Sequence, residues 1–203
     1  MAATHSQGDK TPRTERGRKT LRKLLDAAAT EFAEKGFHEA SISGITRSAG
    51  VALGTFYTYF DSKDAVFRAL VSDMSAGVGK AAREALDPSM GALEIERVAL
   101  RAFLEFAAEH KEIYRIIDEA EFVDPDSYRA HYETIGSRIE ERLKLGGESG
   151  EFALRLGTPE AWAVMGMNVF LGLRYVIWGR EGDPDFEEIA RRANMLLTRG
   201  IAS

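Results

Sequence analysis

Residues 41–63 read SISGITRSAGVALGTFYTYFDSK, with the spacing of two short helices joined by a tight corner. Ile42, Ile45 and Ala49 fall three and four apart, which gives a helix over residues 43–49 a single apolar face. Gly50 accepts the positive φ of a sharp turn, and Val51 follows as an apolar plug beneath the corner. A second helix, residues 53–59, begins at once. Leu53, Gly54, Thr55 and Phe56 make its first turn slim enough to enter a major groove, and Tyr57 and Tyr59 offer hydroxyls to phosphates. Phe60 is placed to anchor the pair on a core. Asp61 or Ser62 caps the next helix, where Lys63 at the N-terminus suits a phosphate. Ser43, Thr46 and Arg47 of the first short helix, with Arg18 and Lys19 upstream, complete the expected DNA-facing set. The competing reading of FYTYF is an aromatic core segment. The turn, both helices and the lysine in register favour DNA binding.

The charge along the chain agrees with that reading. The 203 residues carry a net charge of −5. Residues 1–63 hold ten Lys or Arg against seven Asp or Glu, a balance of +3, which leaves −8 for the remainder. A basic N-terminal part on an acidic body supports one DNA-facing region. Arg13, Arg16, Arg18, Lys19, Arg22 and Lys23 crowd the stretch ahead of the helical pair. Residues 1–17 are accordingly read as a flexible basic arm able to reach phosphates or a minor groove. The bland reading of the same residues is a solvated tail. Leu21, Leu24, Leu25, Ala28 and Phe32 then recur at helical spacing, predicting a supporting helix over residues 18–35 closed by Gly36.

These pieces carry a family resemblance. Phe32, Lys35-Gly36-Phe37, Ala49-Gly50-Val51, Gly54-Thr55-Phe56-Tyr57, Tyr59-Phe60 and Ser62-Lys63-Asp64 keep their spacing together over residues 21–70. The sequence resembles the N-terminal domain of the tetracycline-repressor (TetR) family of bacterial transcription regulators. Gly44 departs from the pattern, since the family usually has a charged residue there, and a phosphate contact from that position is put in doubt. The resemblance implies a homodimer formed by the last two helices, a double-stranded DNA operator and a small-molecule effector in place of any cofactor. It also implies repression relieved by that effector, a cytoplasmic setting and no enzymatic activity.

The rest of the chain reads as helices throughout. The fold class is all-α, with about nine helices. Residues 18–63 form the helix-turn-helix domain, and residues 64–203 form a helical regulatory and dimerisation domain. Helices are expected to about residue 86, over residues 91–109 and 111–121, from residue 125 to Gly146-Gly147, over 162–178, and after Pro184-Asp185. Residues 146–158 read as a loop around an apolar patch. Residues 162–178 form the most apolar run, expected to be buried on most sides; Asn168 and Arg174 interrupt it, and it is too short to span a membrane. Gly77-Val78-Gly79-Lys80 lacks the spacing of a phosphate loop.

The expected ligand lining is Phe103, Phe106, Tyr114, Phe122, Tyr128, Tyr132, Trp162, Met165, Asn168, Phe170, Arg174 and Tyr175, an apolar and aromatic set with few polar groups. For each aromatic residue the alternative is plain core packing. Arg174 is read as facing a ligand carboxylate or phosphate, or as pairing with a glutamate across the dimer. The segments from Tyr114 to Phe122, Tyr128 to Tyr132 and Phe170 to Tyr175 are also similar to regulators of fatty-acid or phenylacetate degradation that respond to acyl-coenzyme A. A long-chain acyl-CoA or fatty acid is therefore the leading effector, with a cationic or planar drug-like molecule as the alternative. The chain has no cysteine, and His5, His38, His110 and His131 are scattered without metal-ligand spacing, so no metal site is expected. Glu119 and Glu121 read as solvated rather than catalytic. A helical dimer that does not bind DNA, or an enzyme, would leave the basic arm and FYTYF without a role.

Overall fold

In the computed structural model, described for residue 10 and residues 12–152 and 156–201, Thr14 opens the first helix by accepting the Gly17 N–H on its Oγ1 at 3.1 Å. Helix α1 (Glu15–Glu39) therefore starts three residues ahead of the predicted boundary, and residues 15–17, expected in the arm, are its first turn. Residues 1–9 and 11 of that arm lie outside the described residues. Gly36, at φ 76° and ψ 165°, breaks α1 where the closing glycine was expected, and one further turn follows it. Helices α2 (Ile42–Ala49) and α3 (Leu53–Tyr59) follow with Gly50 between them at φ 66° and ψ 36°. Ser62 then caps α4 (Lys63–Ala85) by accepting the Ala65 N–H.

The body comprises α5 (Ala92–Glu109), α6 (Glu112–Val123), α7 (Pro125–Glu148), α8 (Thr158–Gly172) and α9 (Phe186–Ile201), with a π-helical turn (Leu173–Ile177) continuing α8. Nine α-helices and no strand occur among the described residues, as the periodicity predicts. None of those helices is long and apolar enough to cross a membrane.

The cores explain how the parts are joined. One apolar cluster holds Leu24, Phe32, Ile45, Phe56 and Phe67 together with Ile113, Ile116 and Ile117 of α6. The core of the predicted 18–63 unit thus continues into α6, because α6 lays its apolar face on α1. A second cluster joins α7 to α8 through Ile139, Leu143, Val164 and Met165. A third joins α5 to α9 through Leu100, Leu104, Ile189 and Ala190.

Two expectations need correction. The segment after Gly146 is less loop-like than predicted. Helix α7 runs on to Glu148, and Phe152 and Leu156 are buried against Ala92, Ile139 and Leu143, while the Glu151 carboxylate caps α5 by accepting the Ala92 N–H. Nor is the 162–178 run buried on most sides. Ala161, Val164, Met165 and Gly172 face inward, whereas Trp162, Phe170 and Trp178 are 45%, 70% and 61% exposed. The run is apolar on both faces but packs on only one.

Candidate functional site

The head presents a small outward face. Arg18, Lys19, Ser43, Arg47, Leu53, Gly54 and Tyr57 are exposed, and Thr55 is half-buried. Arg18 and Lys19 both approach Glu15, at 3.2 and 3.6 Å, and exposed pairs of this kind are weak enough to exchange for a phosphate. Two residues of the predicted set, Phe56 and Thr46, are buried, and two more, Tyr59 and Lys63, are half-buried with partners inside the chain. Phe56 is fully buried, edge-on to Tyr57 and tilted against Phe60, because the inward face of a seven-residue helix needs one large anchor. Thr46 is buried, and its hydroxyl donates to the Ser43 carbonyl at 3.2 Å. Tyr59 donates its hydroxyl to the Gly17 carbonyl at 3.2 Å, tying α3 to the start of α1. Lys63 donates to the carbonyls of His38 and Ala40 at 3.0 and 2.9 Å and lies 4.7 Å from the Phe37 ring centre. A lysine here satisfies carbonyls left open at the end of α1.

Gly44 has a packing reason. A side chain there would collide with the carboxylate of Glu31, which is buried at 7% exposure. Glu31 accepts from Lys35 at 2.7 Å and from the Ser41 N–H at 3.2 Å. Burial pushes its pKa up, but those donors outweigh burial and hold it below the ordinary value. Position 44 therefore faces Glu31 rather than DNA. The sequence signals Lys35 four residues on from Glu31 but not the burial.

Behind the head, residues of α4, α5, α6, α7 and α8 line a row of three adjoining pockets, the passage, that share wall residues. Its inner part, a cavity of about 70 Å³, lies among Val78, Phe103, Ile139, Met165 and Asn168. A middle part of about 40 Å³ shares Val78, Phe103, Ile135 and Val169 with it and adds Tyr114, Tyr132 and His131. An outer mouth shares Tyr114 and Tyr132 and opens beside Tyr128, Trp162 and Phe170. Eight of the predicted lining residues thus line this row of adjoining pockets.

The other four do not. Phe122 is 82% exposed near the end of α6. Phe106 packs on His110 and Gly77, away from the passage. Arg174 is exposed, holds Asp183 through two hydrogen bonds of 2.9 and 3.1 Å and lies over Tyr175, which packs towards α9. Arg174 has an intrachain partner, so neither of its predicted partners is needed. Sequence reading missed Val78, Ile135, Arg138, Arg142 and Val169, since single polar or aliphatic residues on amphipathic helices carry no distinguishing signal.

Burial sets the chemistry of the passage. Tyr114 donates to the Val169 carbonyl at 2.9 Å, and its phenol is pushed well above the ordinary value by burial, then by Tyr132 and Asp118. Burial likewise raises Tyr132, helped first by Tyr128. His131 Nδ1 lies 2.6 Å from Ser75 Oγ, and burial, reinforced by Arg138, lowers its pKa to about 4. At neutral pH these groups are uncharged and accept or donate single hydrogen bonds.

Helix α6 links passage and head. Tyr114, Ile117 and Asp118 line the passage. On its other side Arg115 donates to the Ala33 carbonyl, and Glu119 accepts the Phe37 N–H at 2.9 Å. Glu119, read from sequence as solvated, is a capping group for the broken end of α1.

The head is an exposed helix-turn-helix pair joined through α6 to an all-α body. Residues 24–70 match the model of the bacterial regulatory proteins of the tetR family. The HTH-type transcriptional regulator YdgC of Bacillus subtilis is 32% identical over 105 residues, 50% of this chain and 54% of YdgC. The chain therefore spans about half the length of that relative. YhgD, another HTH-type transcriptional regulator of Bacillus subtilis, is 26% identical over 189 residues, 89% of this chain and 95% of YhgD. Among solved structures, the regulator FadR from Bacillus subtilis in complex with stearoyl-CoA superposes with a TM-score of 0.74 at 20% identity, covering 89% of this chain and 98% of that one. At that identity the likeness is one of fold. Residues 24–70 are thus similar to the DNA-binding domain of the tetR family, and both Bacillus subtilis relatives are named as HTH-type transcriptional regulators.

Proposed function

We propose that the protein is a homodimeric repressor that holds a roughly palindromic operator and is released from it by a long-chain acyl-CoA or fatty acid. The observation that carries this reading is the passage: an apolar, tyrosine-lined space whose α6 wall also caps α1 of the head. Arg47, Leu53, Gly54 and Tyr57 read the groove, and Arg18 and Lys19 hold phosphates. The exposed apolar residues of α8 and α9, including Phe170 and Leu196, 70% and 67% exposed, meet a second copy. The ligand acts by binding the DNA-incompetent spacing of the heads more tightly than the competent one, because equal affinity would shift nothing. The fold likeness to a regulator solved with stearoyl-CoA supports an acyl ligand.

A second reading, a cationic aromatic effector, is favoured by the tyrosines, Asp118 and Glu121 at the outer mouth. Both are tested by selecting binding sites from a random duplex library, then adding palmitoyl-CoA or tetraphenylphosphonium to the selected complex. A two-fold symmetric consensus, released by palmitoyl-CoA alone, is expected. Release by the cation alone selects the second reading, and failure to enrich any sequence sinks both.

A further inference from the structure

The two ends of the passage differ in charge. At the outer mouth Asp118 and Glu121 stand beside the tyrosines, with Arg129 as the one cation there among the described residues. At the inner end, between α4 and α7, stand Arg138 and Arg142, with Arg83 close by on α4. Arg142 is already matched: its Nε and Nη2 donate to the two oxygens of Glu96, at 2.6 and 3.1 Å, and Glu96 is 3% exposed. Both carboxylate oxygens are used by that fork. Arg138, one helical turn earlier, forms no ion pair among the described residues. Its Nη1 is buried without an acceptor there, beside an apolar wall interrupted by Arg142 and by Asn168, whose Oδ1 is likewise buried without a donor. Gly79 makes room for it, since any side chain at that position would overlap the guanidinium. Burial, then Arg83 and Arg142, disfavours the charge on Arg138, yet a guanidinium keeps its proton in proteins. A buried donor without an acceptor is destabilising, the more so when charged.

We propose that this inner end is an anion-binding subsite in which Arg138 takes the negatively charged head group of an aliphatic ligand, whose chain runs through Phe103 and Ile135 towards Tyr114 and Tyr132. The assignment rests on the reading of the passage as an effector site and fixes the ligand's orientation within it. The outer mouth sets two carboxylates against Arg129, whereas at the inner end Arg138 has no carboxylate of its own, so an anion is favoured at the inner end. A carboxylate and the phosphates of a coenzyme A ester share the required chemistry: planar or tetrahedral oxygens that accept from a guanidinium fork.

Titration calorimetry of the full chain at pH 7.5 with palmitate, palmitoyl-CoA and uncharged 1-hexadecanol, each below its critical micelle concentration, tests the subsite without DNA. At least one anionic ligand is expected to bind about tenfold or more tighter than the alcohol. Arg138→Gln should erase that preference by weakening the anionic ligand more than 1-hexadecanol, and Arg138→Lys should keep part of it. Preference for palmitate identifies a carboxylate at Arg138, and preference for palmitoyl-CoA identifies phosphates. Equal affinity of the native chain for all three overturns the subsite while sparing the aliphatic reading, and needs no variant to fold. A charge preference that survives Arg138→Gln also overturns it. Binding of none of the three sinks the aliphatic reading and the subsite together.

Discussion

Lys63 sits where sequence spacing places a phosphate contact, and its ammonium instead closes the end of α1 through the His38 and Ala40 carbonyls. Lys63→Met is expected to lower unfolding free energy by about 1–2 kcal/mol through the loss of those charge-assisted bonds. Urea melts check this, and an unchanged midpoint would contradict it. At Gly50 the corner residue is left-handed with nothing within 4 Å of a built Cβ, so only backbone strain opposes a side chain. Gly50→Ala should cost about 1–2 kcal/mol, and Gly50→Asn less. His131 gives a pH signature. Its folded pKa of about 4 lies below the ordinary 6.5. Between those values the unfolded chain binds a proton that the folded chain does not. Stability is therefore full above pH 6.5 and falls towards pH 4, by up to about 3 kcal/mol. Melts of His131→Gln across that window should show a flatter slope. At this scale the sequence disclosed type and spacing but not facing. Phe56 and Thr46 fall within a DNA-binding motif and are nevertheless core, because a helix as short as α3 or α2 must bury part of itself to be held at all.

Among the elements, α6 has two roles, of which only one was legible. Its periodicity in Ile113, Ile116 and Ile117 announces a buried face. Its bonds to α1 join residues 82 apart in sequence, and no local pattern records them. The same limit hid Arg138, which becomes distinctive only when α4, α7 and α8 are brought together around it. If α6 carries the signal, Glu119→Ala should leave ligand affinity intact and shrink the ligand's effect on operator affinity by about fivefold, a coupling change near 1 kcal/mol. Parallel ligand titrations and DNA titrations measure the two quantities. Equal loss of both would mean that Glu119 only supports the fold. The glycine break at Gly36 lies beside these contacts.

For the whole molecule, an all-α fold with a basic head on an acidic body was readable because each helix carries its own period and most breaks a glycine or proline, those at Phe60-Asp61-Ser62 and His110-Lys111 having neither. The outward faces of Trp162, Phe170 and Trp178 were not, since an apolar run looks the same whether its own chain or another covers it. Phe170→Glu should convert a dimer to a monomer in sedimentation equilibrium and weaken operator binding, because two heads on one scaffold gain from effective concentration.

The most direct test of the account is fluorescence anisotropy of the intact protein with its selected operator, at one stated salt concentration, with and without palmitoyl-CoA. The account predicts tight, sequence-specific binding by a dimer and a fall in operator affinity of about tenfold or more with the acyl-CoA, a coupling of at least about 1.4 kcal/mol. Operator affinity unmoved by saturating acyl-CoA, with the acyl-CoA demonstrably bound, would contradict it.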